Sequence, residues 1–335
     1  GFCLFISCHG LAVLKQMMRA LNITARIDPL QPPLMSRREL LQLALGAGVL
    51  AFTGGVAMAA SMIQRPIPRT GESLPVIGLG TWQTFDVGSS QSAREPLKAV
   101  LRDFVRLQGK VIDSSPMYGN SEGVGGDLAR DLGVRQQLFL ATKVWTSGRD
   151  AGIRQMEESF RRLRTTVMDL MQVHNLVDWR THLDTLRRWK EQGKVRYVGV
   201  THYTASAYDQ LARVLETEDL DFVQLNYSIV ERDAERQLLP LAADKRVAVL
   251  VNRPFAGGGL FSKLRGKPLP PWAQEIDCAS WAQFLLKFVI SHHAVTCAIP
   301  ATSKVQHLTD NMGAGVGKLP DAGIRERMLR YVAEL

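Results

Sequence analysis

The sequence predicts an α/β chain folded as a (β/α)8 barrel, the TIM barrel, preceded by a short N-terminal hairpin. Three observations carry this reading. Eight short β-rich runs alternate with amphipathic stretches from residue 76 to the end. Most of the runs are continuously apolar rather than alternating, the pattern of parallel strands covered on both faces. Residues 60–335 are also the right length for one such barrel rather than for two domains.

The elements follow in order. A hairpin is expected from 67–69 and 73–74, flanking Thr70-Gly71-Glu72. The eight strands are expected at 76–80, 111–115, 138–143, 170–174, 196–201, 222–227, 247–252 and 295–299. Between the first two, Leu97, Val100, Leu101, Phe104 and Val105 recur at helical spacing, with Pro96 in the first turn and Gly109 ending the run. Ile153, Met156 and Phe160 mark a later helix; Leu183, Leu186 and Trp189 mark another, stopped near Gly193. Gly123-Val124-Gly125-Gly126 follows a loop rather than a strand, so it reads as a helix start whose glycines permit close packing, not as a dinucleotide fingerprint. The Gly- and Pro-rich stretch 253–272 is expected as an extended loop after the seventh strand, and long loops on that rim are usually functional.

Composition narrows the function classes. With 46% apolar and 22% charged residues the chain is globular, which excludes a disordered or fibrous protein. The net charge of +9 is not gathered into a basic arm, so a small polyanion is a better expected partner than nucleic acid. Cys3, Cys8, Cys278 and Cys297 contain no C-x-x-C pair, and no metal site is expected. Cys278 and Cys297 could pair only if a helix start met a strand interior.

The first 59 residues read differently. Ser36-Arg37-Arg38 precedes an uncharged stretch, 40–60, rich in Ala, Gly and Leu, and Ala57-Met58-Ala59 offers the small-x-small pattern that a signal peptidase accepts. The segment resembles a twin-arginine export signal. That resemblance implies a protein sent folded to the periplasm, with the twin-arginine machinery and signal peptidase as partners. Gly46, Gly48, Gly54 and Gly55 dilute the apolar core, favouring cleavage over an uncleaved membrane anchor; a cytoplasmic or anchored chain is the alternative. Met35 is the expected start, with 1–34 an upstream extension, 35–59 the signal peptide and 60–335 the barrel.

In a barrel of this kind, chemistry sits where strands end at their carboxyl edge. The second strand ends in Asp113, with Tyr118 in the loop after it; the third ends in Lys143 and the fourth in His174. An Asp, a Tyr, a Lys and a His thus converge on one mouth. The set suits proton delivery to a carbonyl oxygen while hydride arrives at carbon. A tyrosine with pKa near 10 holds its proton well but is a weak acid, and an adjacent ammonium lowers that pKa. Asp113 would hold Lys143 in place and charged, and a neutral His174 could hydrogen-bond and orient the carbonyl. Taken singly, each has a structural reading as a turn, packing or core residue, although a buried lysine needs a carboxylate in any case.

With Gly78-Leu79-Gly80-Thr81-Trp82 after the first strand, these motifs in this order resemble the aldo-keto reductase family over residues 66–335. The resemblance implies a nicotinamide-dependent oxidoreductase that reduces aldehydes or ketones. Tyr118 is then the general acid, tuned by Lys143 and Asp113, and His174 orients the carbonyl. It implies a cofactor, NADP(H) or NAD(H), lying across the mouth against Gly80, Thr81 and Trp82 and against loops after the later strands. The alternative is a cofactor-binding regulatory or sensor protein of the same fold with slow turnover. Thr201-His202 stands where the family usually has Ser-Asn; Thr201 keeps the hydroxyl, while His202 offers one ring donor. Gln224 matches the other carboxamide contact. Arg253 stands where a ring-stacking tyrosine is common, and its guanidinium plane can stack or pair with phosphate.

After the eighth strand, Ala301-Thr302-Ser303-Lys304 opens a helix whose first amides favour an anion. Lys304, His307 and Asn311 are spaced for one helical face, with Thr302 and Ser303 adding hydroxyl donors. In the family the position of His307 often carries an arginine that grips the adenosine 2′-phosphate, which a histidine does only when charged. NADPH is therefore expected over NADH, by a margin that widens as pH falls.

Overall fold

The computed structural model describes residues 61–335, so the upstream extension and export signal expected at 1–59 lie outside the described residues. Strands β1 (Gln64–Pro66) and β2 (Ser73–Pro75) pair antiparallel as a hairpin. Eight parallel strands follow, hydrogen-bonded in chain order: β3 (Leu79–Gly80), β4 (Val111–Asp113), β5 (Phe139–Val144), β6 (Met168–His174), β7 (Val195–Thr201), β8 (Phe222–Asn226), β9 (Ala248–Asn252) and β10 (Val295–Ala298). The barrel closes where the β3 segment meets β10: Gly78 N donates to Ala298 O at 2.8 Å, and Ala298 N to Val76 O at 2.9 Å. Glycine permits that seam, because a Cβ on Gly80 would stand 2.8 Å from the Ile299 carbonyl oxygen.

Helices cover the outside. They are α1 (Gln91–Arg106), α2 (Ser121–Asp131), α3 (Arg149–Arg162), α4 (Trp179–Glu191), α5 (Tyr208–Thr217), α6 (Leu238–Asp244), α7 (Gly259–Leu264), α8 (Trp281–Ile290), α9 (Val305–Gly313) and α10 (Ala322–Ala333). Each buries an apolar stripe, such as Leu97, Val100, Leu101 and Phe104 on α1 and Leu183, Leu186 and Trp189 on α4. Among the described residues no helix is long and apolar enough to cross a membrane.

Inside the barrel the strand period of two sorts side chains by height. Val111, Phe139, Ala141, Leu170, Tyr197, Phe222, Ala248 and Leu250 form one apolar cluster, which Ile67 and Leu74 of the hairpin region join from below. The rings of Phe139, Tyr197 and Phe222 pack with centroids 5.5–5.9 Å apart. Two residues further along the same strands, the inward register delivers Asp113, Lys143, Gln172 and Gln224. The floor is therefore apolar and the upper layer polar.

Three expectations need correction. The first hairpin arm lies at 64–66 rather than 67–69, because the register pairs Pro66 with Ser73 and leaves 67–72 to turn, with Ile67 N donating to Glu72 O at 2.8 Å. α1 begins a turn earlier than the apolar stripe, at Gln91, so Pro96 lies inside the helix rather than in its first turn. The 253–272 stretch is not wholly extended: it contains α7, anchored by the buried i,i+4 pair Leu260 and Leu264. Cys278 and Cys297 are both free and buried, one before α8 and the other inside β10.

Candidate active site

Lys143 ends its inward register with no exposed surface, and its ammonium has found the carboxylate that such burial requires. Nζ donates to Asp113 Oδ2 at 2.6 Å and to the Ser114 carbonyl at 2.7 Å. The other oxygen of Asp113 accepts from Gln224 Nε2 at 2.8 Å and from Gln172 Nε2 at 3.3 Å. Two glutamines, from β6 and β8 across the barrel, thus fix the carboxylate that fixes the lysine. Burial alone would lower the Lys143 pKa, but Asp113 and then Tyr118 more than offset it, so the ammonium stays charged above its ordinary range.

Tyr118 is held over this pair by a tight loop. Tyr118 N donates to Ser115 O, and Ser121 N at the start of α2 donates to Tyr118 O, both at 3.0 Å. Between them Gly119 takes φ +57°, and Asn120 N donates to Asp86 Oδ1 at 2.8 Å. The Lys143 ammonium lies 5.1 Å from the Tyr118 ring centroid. Burial pushes the phenol above its ordinary pKa and Lys143 pulls it part of the way back, so the net shift is upward. The sequence expectation of a lysine that lowers the phenol pKa describes one contribution, and desolvation outweighs it.

His174 ends β6 with its ring centroid 6.1 Å from that of Tyr118, edge to face, and 6.5 Å from that of Trp145. Its Nδ1 lies 3.2 Å from Ser115 Oγ. Burial, then the charge of Lys143, then His202 hold its pKa down at about 3, so the ring is neutral at physiological pH. The register sets His174 beside Thr201 and Thr201 beside Gln224, a row of three expected site residues on consecutive strands.

These groups open into a cavity of about 980 Å³ at the carboxyl ends of the strands. Asp113, Tyr118 and His174 line it together with Gly80, Thr81, Trp82, Thr201, Gln224, Arg253, Thr302, His307 and Asn311. Three expected cofactor residues are not in its wall. His202 turns to stack on Tyr203, and its Nδ1 accepts from Tyr203 N at 3.1 Å. Ser303 and Lys304 are exposed. Lys304 is the N-cap of α9 with extended backbone, so helical spacing does not bring it onto the face that His307 and Asn311 share.

Sequence reasoning missed Gln172, an amide that the period of two already aimed inward between Leu170 and His174. It missed Tyr203, Met117 and Phe261, exposed apolar side chains that line the mouth, and Asn252, whose Nδ2 donates to Gln224 Oε1 at 3.4 Å. It also missed Asp310, whose Oδ1 accepts from Ser280 Oγ at 2.7 Å and from Gln283 Nε2 at 2.9 Å.

The cavity suits a dinucleotide on its own chemistry. Asn175 Oδ1, Asn252 Oδ1 and Arg253 Nε are buried with no protein partner among the described residues, and all three residues line it. Arg253 brings a cation to the wall from strained backbone at φ +50°, with its Nη2 3.5 Å from Glu231 Oε1. Gly257 leaves room for that guanidinium, since a Cβ there would stand 3.3 Å from Nη2.

The family model described as "Aldo/keto reductase family" matches residues 76–326. The chain belongs to the aldo/keto reductase family. The methylglyoxal reductase YeaE of Escherichia coli K12 is 32% identical over 261 residues, 75% of this chain and 89% of its own. The glyoxal reductase of Bacillus subtilis is 25% identical over 245 residues, 72% of this chain and 83% of its own. An aldo-keto reductase from Klebsiella pneumoniae, solved in complex with NADPH, matches with TM-score 0.66 and 25% identity, over 82% of this chain and 96% of that one. This aldo/keto reductase is an oxidoreductase, and its relatives carry the names of reductases rather than of regulatory proteins.

Proposed function

We propose that this aldo/keto reductase uses NADPH to reduce aldehyde or ketone carbonyls, short 2-oxoaldehydes foremost, with Tyr118 as proton donor. The observation that carries the reading is the buried Lys143–Asp113 pair, 2.6 Å apart, lying beneath Tyr118 and beside a neutral His174 at the mouth of one cavity. When bound, NADPH would supply the hydride for the carbonyl carbon. Gln224, Thr201, Asn252 and Arg253 are the residues that would hold it, and the NADPH-bound relative supports that cofactor. The relatives named for methylglyoxal and glyoxal support the substrate class.

Tyr118 and His174 share one carbonyl oxygen in this mechanism. As negative charge develops there, the phenol transfers its proton and His174 donates a hydrogen bond. The Lys143 ammonium stabilises the phenolate left behind, and Asp113 keeps that ammonium charged and in place. Trp82, Trp145 and Tyr203 rim the mouth with apolar surface that excludes water around the reacting oxygen. Stopped-flow oxidation of bound NADPH by methylglyoxal, followed at the nicotinamide absorbance, tests the reading. A single turnover within seconds supports it; NADPH that binds and stays reduced in the presence of a panel of 2-oxoaldehydes, aldehydes and ketones contradicts it.

With Lys304 outside the cavity wall, His307 is the expected reader of the 2′-phosphate that sets NADPH apart from NADH. His307→Ala should lower the ratio of the NADH to NADPH dissociation constants several-fold, since only NADPH carries the 2′-phosphate. An unchanged ratio assigns no such role to His307.

Export is a further part of the proposal. The paired Arg37-Arg38, the uncharged stretch after it and Ala57-Met58-Ala59 support a twin-arginine signal, cleavage after Ala59 and a periplasmic enzyme that leaves the cytoplasm folded and loaded. Intact mass of the periplasmic form, compared with a variant carrying Lys at positions 37 and 38, tests it. A chain beginning at Ala60 that the variant no longer exports is the expected result; retention of both in the cytoplasm contradicts it.

A further inference from the structure

We propose that Ser115 is a positioning residue that holds His174 in the tautomer with its proton on Nε2, the form that can donate to the substrate oxygen. Ser115 follows β4 by two residues and has no exposed surface. Its hydroxyl oxygen has two hydrogen-bond neighbours among the described residues: Met117 N at 3.3 Å and His174 Nδ1 at 3.2 Å. The first can only donate, so the serine oxygen accepts there. The hydroxyl hydrogen then has one acceptor available, the Nδ1 lone pair.

The opposite assignment fails on bookkeeping. With its proton on Nδ1, His174 would donate to Ser115 Oγ, which would then accept two hydrogen bonds while its own buried hydrogen had no acceptor. Nε2 would meanwhile turn a lone pair toward the carbonyl oxygen, repelling it and competing for the Tyr118 proton. Geometry therefore sets the tautomer from behind the ring, in the way that the partner of one imidazole nitrogen commonly determines the chemistry of the other. Ser115 never meets the substrate in this scheme; it acts only through His174.

The loop that carries Ser115 is the loop that carries Tyr118, since Ser115 O accepts from Tyr118 N at 3.0 Å. One short segment thus supplies the proton donor through its phenol and orients the second donor through its serine. This coupling rests on the carbonyl-reduction reading for its kinetic consequence, whereas the tautomer itself is observable without any substrate.

The test is the two-bond nitrogen–proton spectrum of the protein labelled with 15N-histidine, the His174 signals being assigned by their loss in His174→Gln. The wild type should show the Nε2–H pattern for His174. In Ser115→Ala the Nδ1 shift should move toward a mixture of the two tautomers, and kcat/KM should fall about 3–10-fold, the worth of one hydrogen bond. NADPH affinity should stay unchanged, and the thermal midpoint should fall by only a few degrees as Met117 N and His174 Nδ1 lose their partner. Ser115→Thr, which keeps the hydroxyl, should restore both the spectrum and kcat/KM. An Nδ1–H pattern in the wild type overturns the proposal, as does an Nε2–H pattern that Ser115→Ala leaves untouched. A wild type with the expected tautomer that reduces no carbonyl would count against the reaction and leave the Ser115 assignment standing.

Discussion

The two ends of the barrel are built on opposite terms. At the floor the hairpin is tied to the barrel by made polar contacts. Arg65 donates to the Ile290 and His292 carbonyls at 2.6 Å each and to that of Val295, tying the hairpin to the end of α8. Glu72 accepts from Tyr197 Oη at 2.6 Å and pairs with Arg196, which also reaches Asp169 at 2.7 Å. At the mouth, Asn175, Leu176, Asp178, Arg253 and Ala256 take positive φ without being glycine, polar atoms of Asn175, Asn252 and Arg253 have no protein partner, and large apolar side chains stand exposed. These strained residues and unmade hydrogen bonds at the cavity stand where a ligand can relieve them, and the hydrophobic and ionic ties at the floor stabilise the whole. The lesson is that the fold is secured at one end so that the other can be shaped by chemistry.

The Lys143–Asp113 pair is the exception, a stability element inside the mouth, and breaking it has the largest expected effect. Lys143→Met leaves the Asp113 carboxylate buried with only amide donors, so the thermal midpoint should drop by the equivalent of about 3–5 kcal/mol. Combining it with Asp113→Asn should recover most of that stability and none of the turnover. Equal stability of the single and double variants would place the pair among inert contacts. The sign of the pH effect follows from the raised lysine pKa. The contribution of the pair is complete below the ordinary lysine value of 10.5 and fades only as pH climbs through the higher folded value.

Arg65→Ala tests the floor. Three carbonyls lose a charged donor, so a loss of about 1.5–3 kcal/mol is expected, with kcat and KM unchanged. Thermal melting and steady-state kinetics on the same preparation check both halves; a changed kcat with intact stability would erase the division between the two ends.

Arg253→Ala is smaller and belongs wholly to the mouth. NADPH and NADH should both bind about tenfold more weakly, about 1.4 kcal/mol, because the pyrophosphate is common to them. Titration by protein fluorescence reads both constants. A loss confined to NADPH would move Arg253 to the 2′-phosphate.

How much of this was legible follows from particular residues. All eight barrel strands could be read because parallel strands buried on both faces leave long apolar runs such as 247–252. Asp113, Lys143 and His174 stood out because each ends such a run with a group that an apolar interior does not tolerate alone. Gln172 is equally out of place, but a neutral amide raises no alarm until the period of two shows it facing inward. Lys304 was misplaced because i,i+3 spacing was counted across an N-cap, where the chain is still extended. Asp310 and its partner Ser280 are 30 residues apart, and only the packing of α9 on α8 brings them together. The net rise of the Tyr118 pKa was hidden for a related reason: desolvation depends on the completed fold, whereas the charge of Lys143 is visible in the chain.

Tyr118→Phe isolates the proton donor when NADPH affinity and single-turnover reduction of methylglyoxal are measured in one sample. The structure predicts an NADPH dissociation constant within about twofold of wild type and a turnover rate lower by about 10²–10⁴-fold, the range for loss of a positioned acid. A variant that binds NADPH normally and oxidises it at the wild-type rate would show that the Tyr118 phenol does not deliver the proton.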